Sequence, residues 1–446
     1  MKKVAAFFHN KDVLNRILFT LAIFLVFRIG SAITVPGVTV STNVWDSTSS
    51  LSLLNMMGGG SLQNFSILAL GVSPYITAQI IIQLLSMDVL PSLTQMTKEG
   101  ETGRKRLNVV TKILAVVLAA VQAYGIIVSL KNSSSITLSD SSAWGYTKII
   151  IFMVAGTSML NWMGDQITDK GIGNGISMLI FAGIISSLPS QISTAFSSYL
   201  SDKISTGDPS TILEGSAQMV VYILAYLVII IFVTFIEKSV RKLPISHSNT
   251  SQSNDLSSQQ ASFLPIKVNV SSVMPVIFAS SIMVAPSIIV SLFSNGTTPG
   301  WASQMEDVFN YQKMAQMTDD FAFPWGPIIY AVLIIAFSYF YAQLQINPER
   351  VAENFQNSGT YITGIKPGTE TEKYLSRTLD RITFLGAMSL TLIALLPIIL
   401  TLSGAVSDSS LALGGTGLII VVGVALEVNN QISGILAGNG YAESEL

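Results

Sequence analysis

The chain has 446 residues, of which half are hydrophobic and only 11% charged, with a formal net charge of −2 and no cysteine. A soluble globular chain carries roughly 25% charged residues, so this one lacks the polar surface to meet water all round and must expose much of itself to lipid. The missing cysteines exclude disulfides, thiolate metal sites and a cysteine nucleophile, and the near-neutral charge gives no bulk attraction for nucleic acid.

The opening MKKVAAFFHNKDVLNR is basic, without a short apolar core and a small-residue cleavage site, and reads as a retained cytoplasmic segment rather than a signal peptide. A bilayer-crossing helix needs about 20 mostly apolar residues. Ten stretches qualify. The first five run from Leu14 to Thr34, Ile67 to Ser86, Val109 to Leu130, Lys148 to Met163 and Ile172 to Leu188. The second five run from Gln218 to Glu237, Val270 to Phe293, Trp325 to Gln343, Ile382 to Leu402 and Leu411 to Gln431.

Loop charge sets the direction. The start and the even-numbered loops hold nineteen of the 24 basic residues, whereas the opposite loops and helix ends hold only Lys131, Lys148, Lys203 and Lys313. Both termini are therefore expected in the cytoplasm. Arg28 is the remaining base, inside the first span and near its outer end. The outer stretches Val35 to Phe65 and Gly296 to Phe323 do not read as folded external domains.

Spans two and seven share a local pattern. In GVSPYITAQII (Gly71 to Ile81) and SVMPVIFASSI (Ser272 to Ile282), Val72 aligns with Val273, Pro74 with Pro275, Ile76 with Ile277 and Ala78 with Ala279. These are equivalent places if spans one to five and six to ten form two halves. An odd number of spans per half inverts one half against the other, and such repeats place the functional path at their interface. Each of the two spans has a proline near its start, where a helix tolerates it best. Each then offers small or hydroxyl residues that permit close approach and bonding across a seam.

Six strings then occur in order: GVSPYITAQIIIQLL, KEGETGRKRLN, DKGIGNGISMLIFAGII, LPIKVNVSSVMPVIFASS, NPERVAENFQNSGTYITGIKPGTETEKYL and GGTGLIIVVGVAL. Together they resemble the SecY family of protein-conducting channels, from about Arg16 to Ala425. The resemblance implies an all-α polytopic membrane protein, with ten transmembrane helices in two inverted five-helix halves around a central hourglass pore. The implied division is 1–237 for the N-terminal half, 238–269 for the linking cytoplasmic loop, 270–431 for the C-terminal half and 432–446 for a short cytoplasmic tail.

The resemblance also implies roles. Val72, Ile76, Ile180, Ile184, Ile277 and Ile420 match the aliphatic ring that closes the pore. Branched apolar side chains cannot hydrate an ion, so a narrow ring of them dewets. The glycine-rich segment from Leu53 to Ser66, with Gly58, Gly59, Gly60 and Phe65, matches the plug. Spans two and seven match the lateral gate, with Thr77, Gln79, Ser280 and Ser281 along it. Glu237 to Lys267 and Gln345 to Arg381 match the cytoplasmic loops that receive the ribosome or the SecA motor. Arg104, Lys105, Arg106, Arg241, Lys242, Arg350, Lys366 and Lys373 are the candidate docking cations. SecE and SecG, or accessory counterparts, preprotein signal sequences and membrane lipid complete the implied partners, in the plasma membrane.

Two features depart from the family. The family has an arginine where this chain has Lys366, which loses the planar bidentate fork. The run from Pro244 to Pro265 carries one acid and no lysine or arginine where ordinary members are strongly basic, and reads as a mobile polar segment. These loops leave an alternative open, an accessory paralogue that exports a narrow cargo set with a dedicated SecA.

Two other classes compete. A secondary transporter of small solutes needs charged or strongly polar groups at mid-membrane, and only Arg28 approaches that. An intramembrane enzyme needs paired acids, a nucleophile–base pair or a histidine site. No span holds two acids at helical spacing, and the two histidines, His9 and His247, lie in polar stretches. No catalytic residue, cofactor or metal is expected. GIGNGIS, from Gly171 to Ser177, has no lysine for a phosphate loop and reads as close helix packing.

Overall fold

The computed structural model describes residues 11–40, 51–87, 89–132, 135–201, 204, 209–247, 263–293, 300–310, 315–318, 321–402 and 410–444. Lys2, Lys3, His9, Asp46, Lys203, Lys313, residues 248–262, Glu445 and the side chain of Leu53 lie outside that description.

In chain order the first elements are α1 (Lys11–Ala32), β1 (Val38–Val40), α2 (Leu51–Met57), α3 (Ser73–Leu85), α4 (Pro91–Lys98), α5 (Glu101–Asn132), β2 (Ile136–Leu138), α6 (Ala143–Lys170), α7 (Gly175–Phe196) and α8 (Pro209–Lys238). There follow β3 (Val240–His247), β4 (Phe263–Lys267), α9 (Met274–Phe293), α10 (Gly300–Phe309), β5 (Ala315–Thr318), β6 (Phe321–Phe323), α11 (Trp325–Gln345), α12 (Pro348–Asn357), β7 (Thr360–Ile362), α13 (Thr369–Leu402) and α14 (Ser410–Ser444). Among the described residues, eight helices are long and apolar enough to cross a membrane: α1, α5, α6, α7, α8, α11, α13 and α14. The chain is a multi-pass membrane protein.

Two shorter apolar helices, α3 and α9, fill the second and seventh places of the expected ten. They are the two proline-led spans, and both start later than expected: α3 at Ser73 rather than Ile67, and α9 at Met274 rather than Val270. The reason is local. Gly71 has φ +59° and Ser272 has φ +51°, so each helix is preceded by one residue in the left-handed region. That residue cannot continue a right-handed helix. The 13 residues of α3 rise about 20 Å at 1.5 Å each. Turns over 66–71 make up the remaining depth, closed by Ala69 N–H to Ser66 C=O and Gly71 N–H to Leu68 C=O.

The repeat noticed in the sequence thus extends to backbone geometry. Gly71 and Ser272 are aligned positions, and after each the first helical bond joins aligned residues, Ile76 to Val72 at 3.1 Å and Ile277 to Val273 at 3.3 Å. Ser272 is a non-glycine in a strained region, and Asn269 Nδ2 steadies it by donating to its carbonyl at 3.0 Å.

One reading needs correction. The run from Pro244 to Pro265 reads as a mobile polar segment, but its described ends, 244–247 and 263–265, are strands. β3 runs through Pro244 to His247, pairs antiparallel with β4, and on its other edge pairs antiparallel with β7. Val240, Leu243 and Ile245 supply the β-forming apolar residues. Leu243, Ile266 and Ile362 pack from the three strands into one buried cluster with Leu375, Leu379 and Ile382 of α13. A small sheet therefore ties the two expected docking loops together. A second antiparallel pair, β1 with β2, joins the segments that follow α1 and α5.

Candidate functional site

The six residues matched to a pore ring come from four places in the chain and meet in one buried cluster. Val72 immediately precedes α3, Ile76 lies in α3, Ile180 and Ile184 in α7, Ile277 in α9 and Ile420 in α14. None is more than 6% exposed, and Ile184 is fully buried. Met56 and Met57 of α2 join the same cluster, so the segment matched to the plug packs its apolar end with the residues matched to the ring. Leu62 and Phe65, from the same segment, pack instead into a second cluster with Leu70, Ile126, Ile127 and Met153.

Glycine makes this packing possible. A Cβ on Gly183 of α7 would overlap the Met57 carbonyl, and one on Gly417 of α14 would lie 3.0 Å from both Ile184 Cγ2 and Met56 Cε. The three glycines form a compact turn, with Gly58 N–H donating to Leu54 C=O at 2.9 Å and Gly60 N–H to Asn55 C=O at 2.8 Å. Arg28, unexplained in the sequence, reaches this turn: its Nη1 donates to the Gly59 carbonyl at 2.8 Å.

α3 and α9 touch along the expected gate, and both also pack on α5. The hydroxyls foreseen to bond across that seam do not. Thr77 Oγ1 donates to Ser73 C=O at 3.1 Å, and Ser280 and Ser281 Oγ both donate to Ile277 C=O at 2.8 Å, each within its own helix. A buried hydroxyl satisfies itself most cheaply on a carbonyl one turn back. Gln79 is half-buried on α3. A side-chain bond that joins α3 to α11 lies one turn further on. Tyr341 Oη of α11 donates to Gln83 Oε1 of α3 at 2.8 Å, across 258 residues of sequence. Phe278 of α9 sets its ring edge-on to Tyr341, with centroids 5.0 Å apart, so three helices meet at this point. Sequence reasoning missed Gln83 and Tyr341. A glutamine two residues beyond the aligned window was the only signal.

The candidate docking cations are exposed. Lys105 pairs loosely with Glu101 at 3.8 Å and Arg106 with Glu99 at 3.4 Å. Arg104 and Arg350 line one cavity of about 360 Å³ together with Ile266 of β4 and Leu379 of α13. Arg241 and Lys242 lie on β3, where Lys242 Nζ sits 4.5 Å from the Phe263 ring centre. Lys366 follows β7 and Lys373 lies in the first turns of α13. Gly364 and Gly368 flank Lys366 at φ +86° and +97°, and its carbonyl accepts from Thr371 Oγ1 at 2.8 Å. The tight turn read around this cation is present. The GIGNGIS stretch is a close contact as expected: a Cβ on Gly164 of α6 would lie 2.8 Å from Ile176, and one on Gly171 would lie 2.6 Å from Thr20 of α1. Among the described residues, no group of three or more histidines or acids could hold a metal ion.

A family model described as SecY matches residues 66–429. This chain belongs to the SecY family. It is 42% identical to protein translocase subunit SecY 1 of Lactobacillus kefiranofaciens subsp. kefiranofaciens, over 97% of each chain. It is 40% identical to protein translocase subunit SecY of Bacillus licheniformis, over 99% of this chain and 98% of that one. Among solved structures it is similar to a protein-conducting channel, with a TM-score of 0.63 at 18% identity, covering 94% of this chain and 91% of that chain. Similarity to Sec61 in the canine ribosome–channel complex is comparable, with a TM-score of 0.61 at 18% identity over 94% of this chain and 91% of that one. These structural likenesses establish the SecY-type fold for the helical arrangement described above.

Proposed function

We infer that this SecY-family chain is the channel subunit of a protein translocase in the plasma membrane, with both termini cytoplasmic. It passes unfolded preproteins through a central pore between two inverted halves and releases apolar segments sideways into lipid. The observation that carries the reading is the meeting of six aliphatic side chains, Val72 just before α3 and five from α3, α7, α9 and α14, in one buried cluster with Met56 and Met57. Such a waist resists ions because it offers no polar group to replace their hydration. It is also indifferent to the sequence that passes.

The other parts follow from that core. Leu53 to Ser66 is the plug, seated on the outer side of the ring. The seam of α3 and α5 against α9 and α11 is the lateral gate, with Tyr341 and Gln83 bonded across it. The sheet of β3, β4 and β7 presents Arg241, Lys242 and the Lys366 turn to the SecA motor or the ribosome, whose acidic side chains or RNA phosphates suit exposed cations. SecE and SecG are the expected companion subunits. Two relatives bear the plain subunit name, one of them numbered 1, which favours the ordinary translocase over an accessory one. Motor or ribosome energy drives transport.

Ile76→Asn and Ile277→Asn test the waist. Each puts an amide among buried aliphatic groups, which costs about 1–3 kcal/mol when unpaired and weakens the closed state relative to an open, wetted one. Each variant should export preproteins with defective signal sequences several-fold better than wild type, in a translocation assay with the reconstituted translocase. Export no better than wild type from both variants would remove these residues from the waist.

A further inference from the structure

We propose that Arg28 is the latch of the plug: its guanidinium, carried by the first membrane span, holds the Gly59 turn against α7 in the closed channel. The proposal rests on the plug reading above and adds the residue that sets plug position.

Arg28 is out of place in its surroundings. It lies one turn before the end of α1, between Leu25 and Ile29, which are 62% and 55% exposed on the apolar face of that helix. A charged side chain inside a span is costly and marks function more often than packing. An arginine near a helix end ordinarily extends its head toward water. This one, though exposed as a whole, directs Nη1 to the Gly59 carbonyl and donates to it at 2.8 Å. A guanidinium has five donors and stays charged, so one can hold the turn while the others face the polar interface.

The receiving turn is built for a tight fit. Gly59 is buried at φ +67°, and a Cβ there would lie 2.6 Å from Ser186 Oγ and 3.2 Å from Gly183 Cα. The turn is thus clamped between α1 on one side and α7 on the other. The same segment is also fixed at its far end by backbone bonds to the residues that directly follow α1. Val35 N–H donates to Phe65 C=O and Ile67 N–H to Ile33 C=O, both at 3.0 Å. That short ladder does not involve the ring and can act as a pivot. The Arg28 bond reaches the part that covers the ring, and releasing it lets the segment swing while the ladder stays joined.

The chain has no cysteine, so a single introduced thiol reports position cleanly. Ser61 is fully buried in the plug turn, and Ser135, at 2% exposure, is buried just before β2, whose Ile136 packs with Phe65 at the end of the segment held by the ladder. Each is changed to cysteine in the full chain with its translocase partners in sealed vesicles, and labelled from the plug side with a membrane-impermeant maleimide. Arg28→Met should raise the labelling rate of S61C by roughly tenfold, the change in opening expected on losing one charge-assisted hydrogen bond, and leave S135C unchanged. An S61C rate equal to wild type overturns the latch. A rise at both cysteines also overturns it, because the bundle as a whole has then loosened. If Arg28→Met fails to insert, Arg28→Gln gives the same comparison, since its amide ends two atoms short of the guanidinium nitrogen. Deleting residues 53–66 tests the plug separately, by ion leak through the resting channel. Leak after deletion with wild-type S61C labelling in Arg28→Met defeats the latch alone. No leak after deletion defeats the plug reading and leaves the labelling to decide where Arg28 holds the segment.

Discussion

The waist and the basic end of this molecule are built on opposite terms. At the waist, aliphatic side chains from four helices and two plug methionines bury one another, and glycines at 183 and 417 remove the atoms that would keep them apart. At the basic end, exposed cations stand on a three-stranded sheet and tight turns, and the ion pairs of Lys105 and Arg106 are long and solvated. Surface pairs of that kind contribute about 0–1 kcal/mol. The waist therefore depends on shape, where a single methyl group is felt. The basic end depends on the placement of charge, where one residue matters little until a partner arrives.

The sharpest way to break that contrast is Gly183→Ala. The added Cβ would overlap the Met57 carbonyl, and neither backbone can yield without moving the plug or the helix. Overpacking of this kind costs about 1–3 kcal/mol. Because the plug is the more weakly held side, the strain should appear as an open plug. Ion leak through the resting channel should rise by an order of magnitude or more, read as vesicle depolarisation. A wild-type leak would mean that Met57 does not sit on Gly183 in the membrane.

A smaller effect is expected at the cytoplasmic reach of the seam. Tyr341→Phe keeps the ring against Phe278 and removes only the bond to Gln83. A net loss of about 1 kcal/mol should shift gate opening roughly fivefold. Disulfide trapping of cysteine pairs placed across α3 and α9 would show it as faster closure in wild type than in the variant. Equal trapping would make the Tyr341–Gln83 bond incidental to the gate.

Most of this architecture is legible in the sequence, and the misses have physical causes. The long spans were legible because twenty apolar residues have few other fates in a cell. Spans two and seven were placed correctly but begun too early, because apolar content cannot reveal a left-handed residue at Ser272, a residue type that seldom adopts it. The residues proposed for the ring came through family resemblance alone: an isoleucine in a membrane helix looks the same whether it faces a pore, a neighbour or lipid. The sheet of β3, β4 and β7 was missed because its strands lie over a hundred residues apart in part, with Ile245 facing Ile362, and a polar run between β3 and β4 masked the alternation. Arg28 was seen as an anomaly, but its partner, a glycine carbonyl 31 positions on, carries no side-chain signal.

The smallest expected effect is the one that tests the gate chemistry most directly. Small and hydroxyl residues facing a seam suggest bonds across it, and on that view Thr77→Val and Ser281→Ala would each loosen the gate. The geometry says otherwise, since both hydroxyls donate to carbonyls one turn back in their own helices. Such bonds add little to helix stability. Thr77→Val also keeps the β-branched shape, and Ser281→Ala removes a single buried atom. The double variant should therefore change disulfide trapping across the gate by less than about twofold, under roughly 0.4 kcal/mol, whereas Tyr341→Phe in the same assay moves it further. If the order is reversed, the hydroxyls reach across the seam in the assembled channel, and the seam holds by hydrogen bonds along its length. If the order stands, the seam is held by apolar contact between α3 and α9 and fastened at one end, so that an apolar signal helix can replace that contact without leaving a polar group unpaired.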